Sequence, residues 1–214
     1  MMATTHGLAG AALALPMLVL APELAPVAAV AGIAGGLAPD LDLYVGHRRT
    51  LHYPVFGPLA GCVALTGAAL QPTALSVALA FGLITAGLHA ASDVLGAGLE
   101  LRPWEANSDR AVYDHSRGRW LEPRRVIRYD GAPEDVLLAG LLAAGPLVAF
   151  SAPVDTLVIA LLAVTVVYGL LRKRFAALAG WVFSWLPPAV HPHVPDRYLD
   201  ARPEDSDQLA ARNQ

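Results

Sequence analysis

Seven apolar runs, set apart by short polar breaks and one long polar segment, divide the 214 residues. They fall at about 7–21, 24–38, 54–70, 73–92, 135–151, 154–171 and 175–190. None alternates apolar and polar positions, so β structure is not expected and each run reads as a helix. Pro22-Glu23 breaks the first run from the second, and Gln71-Pro72 makes a tight turn between the third and fourth. "SAPVD" joins the fifth to the sixth, and Arg172-Lys173-Arg174 caps the sixth. Trp181, Trp185 and Pro187-Pro188 punctuate the seventh. The first two runs are short for a spanning helix, which needs about 20 residues. Tilting, local thinning of the bilayer or a shallow hairpin would accommodate them, and their Gly and Ala content lets helices approach closely. The pattern predicts an all-α polytopic membrane bundle of six to seven apolar helices. Residues 1–190 form the membrane-embedded domain, including the polar segment 93–134, and 191–214 form a polar tail expected to be mobile.

Composition agrees with this pattern. Hydrophobic residues make up 55% and charged residues 15%, with mean hydropathy +0.48, which excludes an ordinary soluble domain. The single cysteine, Cys62, excludes an intrachain disulfide and a cysteine zinc site. No cleavable signal peptide is expected, because the first run lacks a positive leader. The net charge of −3 gives no reason to expect a nucleic-acid partner. Charge placement says more than the total. If every run crosses, the loop 39–53, the segment 93–134 and the cluster 172–174 share one side. Arg48, Arg49, Arg102, Arg110, Arg117, Arg119, Arg124, Arg125, Arg128, Arg172, Lys173 and Arg174 all lie there, and the opposite turns hold no Arg or Lys. Such asymmetry marks the cytoplasmic side of an inner (cytoplasmic) membrane.

The same side collects the imidazoles and carboxylates. His6 opens the first run, Asp40 and Asp42 follow the second in "PDLD", and His47 and His52 precede the third in "GHRRTLHYP". His89 and Asp93 end the fourth run four residues apart, which aims both from one helix face. His115 lies in "YDHSRGRW". Imidazole with carboxylate suits zinc, manganese or iron, and ligands on several helix ends can build a metal site in a bundle. Ionisable groups at membrane depth are costly and mark function. His6, Asp42, His52, His89 and Asp93 are therefore the ligand candidates for one to three divalent ions, zinc first. His47 and His115 are possible additional metal or substrate contacts, with lipid-headgroup or solvated-loop roles as the alternatives. His191 and His193 sit in a Pro-rich tail and are read as non-ligands. Asp40 is the catalytic candidate, as a general base or a carboxylate behind the ligands, with a helix cap as the plainer role. Pro39 disfavours helix at Ala38, so the chain is expected to be turning at the two aspartates.

Four motifs taken in order, "TTHGLAG", "GGLAPDLD", "HRRTLHYP" and "HAASDVLG", resemble those of YdjM-type inner-membrane proteins, a family taken to be metal-dependent hydrolases. The likeness covers roughly residues 1–130. The order His, Asp, His, HxxxD is also similar to zinc-dependent phospholipase C and the related single-strand nucleases, all-helical enzymes with a three-zinc cluster. This resemblance implies that His6, Asp42, His52, His89 and Asp93 take ligand positions, and that the reaction cuts a phosphoester. Three departures stand out. Leu51 intervenes between Thr50 and His52, His6 follows five residues where the phospholipase group uses its free N-terminal residue as a ligand, and no HxxxE pair follows residue 93.

Two functional classes follow. The first is a membrane-bound metal-dependent hydrolase cutting a phosphoester in a lipid or lipid-linked substrate through metal-activated water. In it Arg48, Arg49 and Arg102 bind phosphate, and 100–120 forms a lid carrying Trp104, Tyr113 and Trp120. The second is a non-catalytic membrane metal-binding or partner-docking protein. The middles of the runs are almost purely apolar, which argues against a transport pathway through the membrane.

Overall fold

Glycine decides how the helices meet. The computed structural model describes residues 1–43, 45–185, 187, 189, 190 and 194. Helix α1 (Ala3–Leu13) runs through a turn into the short α2 (Met17–Leu20), and α3 (Ala25–Leu37) returns antiparallel to α1. At their crossing a Cβ on Gly10 would strike the Gly32 carbonyl, and one on Gly36 would strike the His6 carbonyl. The two backbones therefore touch, which is how helices gain dispersion energy where lipid removes the hydrophobic drive. Gly36→Ala is expected to cost about 1–3 kcal/mol as overpacking, because a carbonyl cannot rotate away as a side chain would. A melting temperature in detergent equal to that of the parent would show that the crossing is looser than this.

Helices α4 (Phe56–Leu70) and α5 (Ala74–Ser92) form an antiparallel pair, and Thr73 and Ser76 make a capping box at the start of α5. α5 lies parallel to α3, so both end at the same end of the bundle as the N-terminus of α1. α6 (Pro133–Ala149) and α7 (Val154–Ser184) close the bundle against α1. The core is built from small residues: Ala11, Ala28, Ala29, Ala80, Ala139 and Ala143 pack around Leu8, Val77, Val154 and Val158.

Three sequence expectations change. First, among the described residues four helical stretches are long and apolar enough to cross a membrane: Ala3–Leu20, Pro22–Asp42, Ala74–Leu95 and Val154–Phe183. The first outgrows its apolar run because α1 is already helical at Ala3, and the second because 3-10 turns extend α3 at both ends, whereas α4 has only 15 residues and α6 only 17. Second, the sixth run and the seventh as far as Ser184 lie in one helix of 31 residues. Arg172-Lys173-Arg174 interrupts the hydropathy but not the backbone, since Arg and Lys are good helix formers and no Pro or Gly breaks the chain there. Third, the polar segment holds a two-stranded antiparallel ribbon, β1 (Val112–Asp114) with β2 (Arg119–Leu121), in a fold otherwise helical. The tail expected over 191–214, with His191 and His193, lies outside the described residues apart from residue 194.

The segments assigned to one side do meet at one end of the bundle. The Tyr113 amide donates to the Arg48 carbonyl at 2.9 Å, and Arg172 holds Asp130 by two hydrogen bonds of 2.7 and 3.1 Å.

Candidate metal centre

The site is assembled where α1 begins and where α3 and α5 end. α3 passes into a 3-10 turn over Ala38–Asp42, with Ala38 still helical at φ −59° and ψ −39°. The turning backbone expected before Pro39 is therefore a tightened helix end. At three residues per turn, positions two apart diverge by about 120°, so the two aspartates point to different places. α5 carries His89 on its last turn and Asp93 at its C-cap. The loop between the end of α3 and α4, closed by Asp42, delivers His52.

Asp40, His52, His89 and Asp93 each turn one ligand-type atom to a common point, with all four atoms within 4.8 Å of one another. His52 Nε2 lies 3.5 Å from Asp40 Oδ1 and 3.4 Å from Asp93 Oδ2. His89 Nε2 lies 3.5 Å from both of those oxygens. A tetrahedron with ligands about 2.0–2.1 Å from its centre has edges of about 3.4 Å, which is the spacing of the four imidazole–carboxylate edges. Both Nε2 atoms are buried and have no hydrogen-bond partner among the described residues. Their Nδ1 atoms are both engaged: that of His52 with Asp42 Oδ2 at 3.0 Å, and that of His89 with the Gly36 carbonyl at 2.6 Å. An imidazole tied down at one nitrogen and bare at the other is how metal-binding histidines are oriented. A buried, bare nitrogen is otherwise costly.

The charge balance points the same way. The carboxylates of Asp40, Asp42 and Asp93 surround the imidazoles, with two cations beside Asp93: the buried Arg48, whose Nε lies 3.4 Å from Oδ2, and the Met1 amino group, 3.4 Å from Oδ1. Burial opposes a charge on His52, yet the surrounding carboxylates of Asp40, Asp42 and Asp93 outweigh it and push its pKa up to about 10. The cage thus takes up positive charge, as a proton or as a metal cation. Any metal held here must displace that proton.

Asp42 is not among the four. It sits behind them, its Oδ1 3.0 Å from His47 Nδ1 and its Oδ2 taking His52 Nδ1 and the Leu51 amide at 3.0 Å. Relative to the sequence expectation, the two aspartates exchange places, because the 3-10 turn aims Asp40 inward and Asp42 at the loop. His6 reaches the site from one side. Its ring stacks on His89 with centroids 3.8 Å apart, and its Nε2 lies 3.2 Å from the other oxygen of Asp93. His47 packs edge-on against His52, half-buried and outside the four. His115 is not at the centre: it stacks on Tyr53 and is bonded through Nε2 to the Arg49 carbonyl at 2.7 Å.

The proposed phosphate-binding arginines separate. Arg48 is buried, and its NH1 donates to the carbonyls of Ala97 (2.7 Å) and Ala111 (3.4 Å). Its backbone, in the left-handed region at φ 58°, donates to Asp42. Left-handed backbone costs a non-glycine residue about 1–2 kcal/mol. The guanidinium is therefore a strut between the ligand loop and the polar segment, and not a free fork for phosphate. Arg49 lies over the Tyr113 ring, and Arg102 pairs with Glu105 at the surface. Arg172, read from sequence only as the end of a run, instead lines a cavity beside the site. The signal that could have found it is a charge placed inside an otherwise unbroken helix.

No protein-family model, curated protein or solved structure matches the chain.

Proposed function

We propose that the protein is a membrane-embedded, metal-dependent hydrolase that cuts a phosphoester, with Asp40, His52, His89 and Asp93 holding a divalent ion of the zinc type. The supporting observation is the pair of imidazoles, each anchored at Nδ1 and bare at Nε2, facing two carboxylates. A divalent ion bound there would acidify water and offset charge on a phosphoryl oxygen. In the overall reaction the oxygen of water bonds to phosphorus, the ester P–O bond breaks, and a proton passes to the leaving alcohol.

The chain's own groups have distinct tasks in this reading. His52, His89 and Asp93 have side chains 0–2% exposed and are shielded from solvent, whereas Asp40 is 25% exposed. Asp40 thus stands between the centre and the substrate, where a carboxylate can also accept a proton. His6 holds the second oxygen of Asp93, and Asp42 holds His52. The resemblance to YdjM-type proteins supports the reaction class, and the Arg and Lys distribution supports a cytoplasmic-facing site in the inner membrane, on a lipid or lipid-linked substrate.

The test uses right-side-out and inside-out membrane vesicles carrying the protein, with a chromogenic phosphodiester and a membrane-impermeant chelator. Turnover that the chelator abolishes only in inside-out vesicles is the expected result. Stoichiometric metal without any phosphoester turnover would replace the hydrolase with a metal-binding protein. Chelator sensitivity confined to right-side-out vesicles would reverse the orientation.

A further inference from the structure

Beside the centre lies a cavity of about 460 Å³, within the range of small-molecule sites. Its lining is of two kinds. Asp40, His47 and Arg48 of the centre line it together with Glu100 and Asp130 of the polar segment, so the exposed edge of the centre opens into it. Val164, Phe175, Ala176 and Ala179 of α7 also line it, with Tyr168 and Arg172 among them. Those positions recur every three to four residues and form one face of the helix. Tyr168 and Arg172 are both bound to Asp130, so the polar groups on this face are tied to the polar segment and the rest of the wall is apolar.

The position of the wall along α7 fixes what can reach it. Val154 and Arg172 are 18 residues apart in the helix, about 27 Å at 1.5 Å per residue. That is close to the roughly 30 Å of a hydrocarbon core. If Val154 marks one boundary, the basic cluster 172–174 marks the other, and Val164 lies about 12 Å below it. The cavity therefore straddles the level of the headgroups, with the metal centre at the polar side. α7 is also a candidate span with little of its surface covered by protein, so the wall continues into a face open to lipid.

Resting on the hydrolase reading, we infer that this cavity is a slot for the hydrocarbon chain of an amphipathic phosphoester. The chain lies along the Val164–Ala179 face of α7, and the phosphate lies at Asp40. A hydrophilic substrate of the same head would leave the apolar wall wet. A chain buries it, and each buried CH₂ adds to its binding.

The full-length protein in phosphatidylcholine nanodiscs is assayed with dodecyl and ethyl 4-nitrophenyl phosphate. It is also photolabelled with a dodecyl phosphate carrying a terminal diazirine. The parent is expected to favour the dodecyl ester and to be labelled within 164–179. Ala179→Trp, which fills the slot, should lower the dodecyl-to-ethyl ratio of kcat/KM at least tenfold and abolish that label. Val164→Trp serves the same purpose if Ala179→Trp fails to fold, and Leu178→Trp, on the exposed face outside the cavity, should keep the parental ratio. An unchanged ratio in both slot variants, or label spread evenly over the lipid-facing helices, overturns the slot. If neither ester is hydrolysed, the hydrolase reading fails and the label alone decides the slot: concentrated at 164–179 and lost on filling, it stands; evenly spread, it falls.

Discussion

His89→Ala is expected to leave the protein without bound metal. The imidazole supplies one of four converging atoms, and the other three cannot close around the point it vacates. Asp40 and Asp93 would then face each other across His52 alone, so the loss should exceed the ~10–100-fold typical of changes behind the ligands. Two further effects accompany it. The Gly36 carbonyl loses its partner at 2.6 Å, and the His6 ring loses the surface it stacks on. A fall in stability is therefore expected as well, of about 2–5 kcal/mol by analogy with other large-to-small core changes. Thr85→Ala, one turn earlier on α5, separates the two effects. Thr85 is buried and bonds only within its own helix, to the carbonyls of Phe81 and Gly82. Metal analysis after dialysis should find the parental content in Thr85→Ala and below a tenth of it in His89→Ala. Parental content in His89→Ala, with only a lowered melting temperature, would remove the metal centre.

Much of this centre was legible because membrane-depth chemistry is sparse. In runs of Ala, Leu, Val and Gly, an imidazole or carboxylate has no solvent to satisfy it, so His6, Asp42, His52, His89 and Asp93 stood out. All five do come to one place, from four separate segments of chain. What sequence left open was direction. A side chain's aim two residues apart depends on whether the backbone is extended, α or 3-10, and the α3 end took the third form, exchanging Asp40 with Asp42. The Gly36 carbonyl carries no side-chain signal at all, although it orients His89. α7 was divided at Arg172 because hydropathy marks where an apolar run ends, whereas breakers mark where a helix ends, and Val154–Ser184 contains no proline. His115 was drawn toward the centre by residue type alone, while its neighbours Tyr53 and Tyr113 gave it an aromatic stack at the surface.

The two aspartates of "PDLD" should respond differently to the same change. Asp40 offers Oδ1 to both bare Nε2 atoms at 3.5 Å, and Asp42 offers Oδ2 to the far nitrogen of His52 at 3.0 Å. In Asp40→Asn one charged ligand becomes a neutral, weaker one, so bound metal should fall steeply and turnover with it. In Asp42→Asn all four ligands remain. His52 loses a charge-assisted hydrogen bond, which is about twice as strong as a neutral one, and its ring is held less firmly. The loss should then be the ~10–100-fold in metal affinity typical of groups behind the ligands, recovered by adding metal. Asp42 also holds His47 and the Leu51 amide, so its variant should melt at a lower temperature even when metal is restored. Metal titrations of the two purified variants, each followed by turnover of the same phosphodiester, make the comparison. Rescue of Asp42→Asn but not Asp40→Asn by excess metal is the expected pattern. The reverse pattern would return Asp42 to the ligand position that sequence likeness first implied for it.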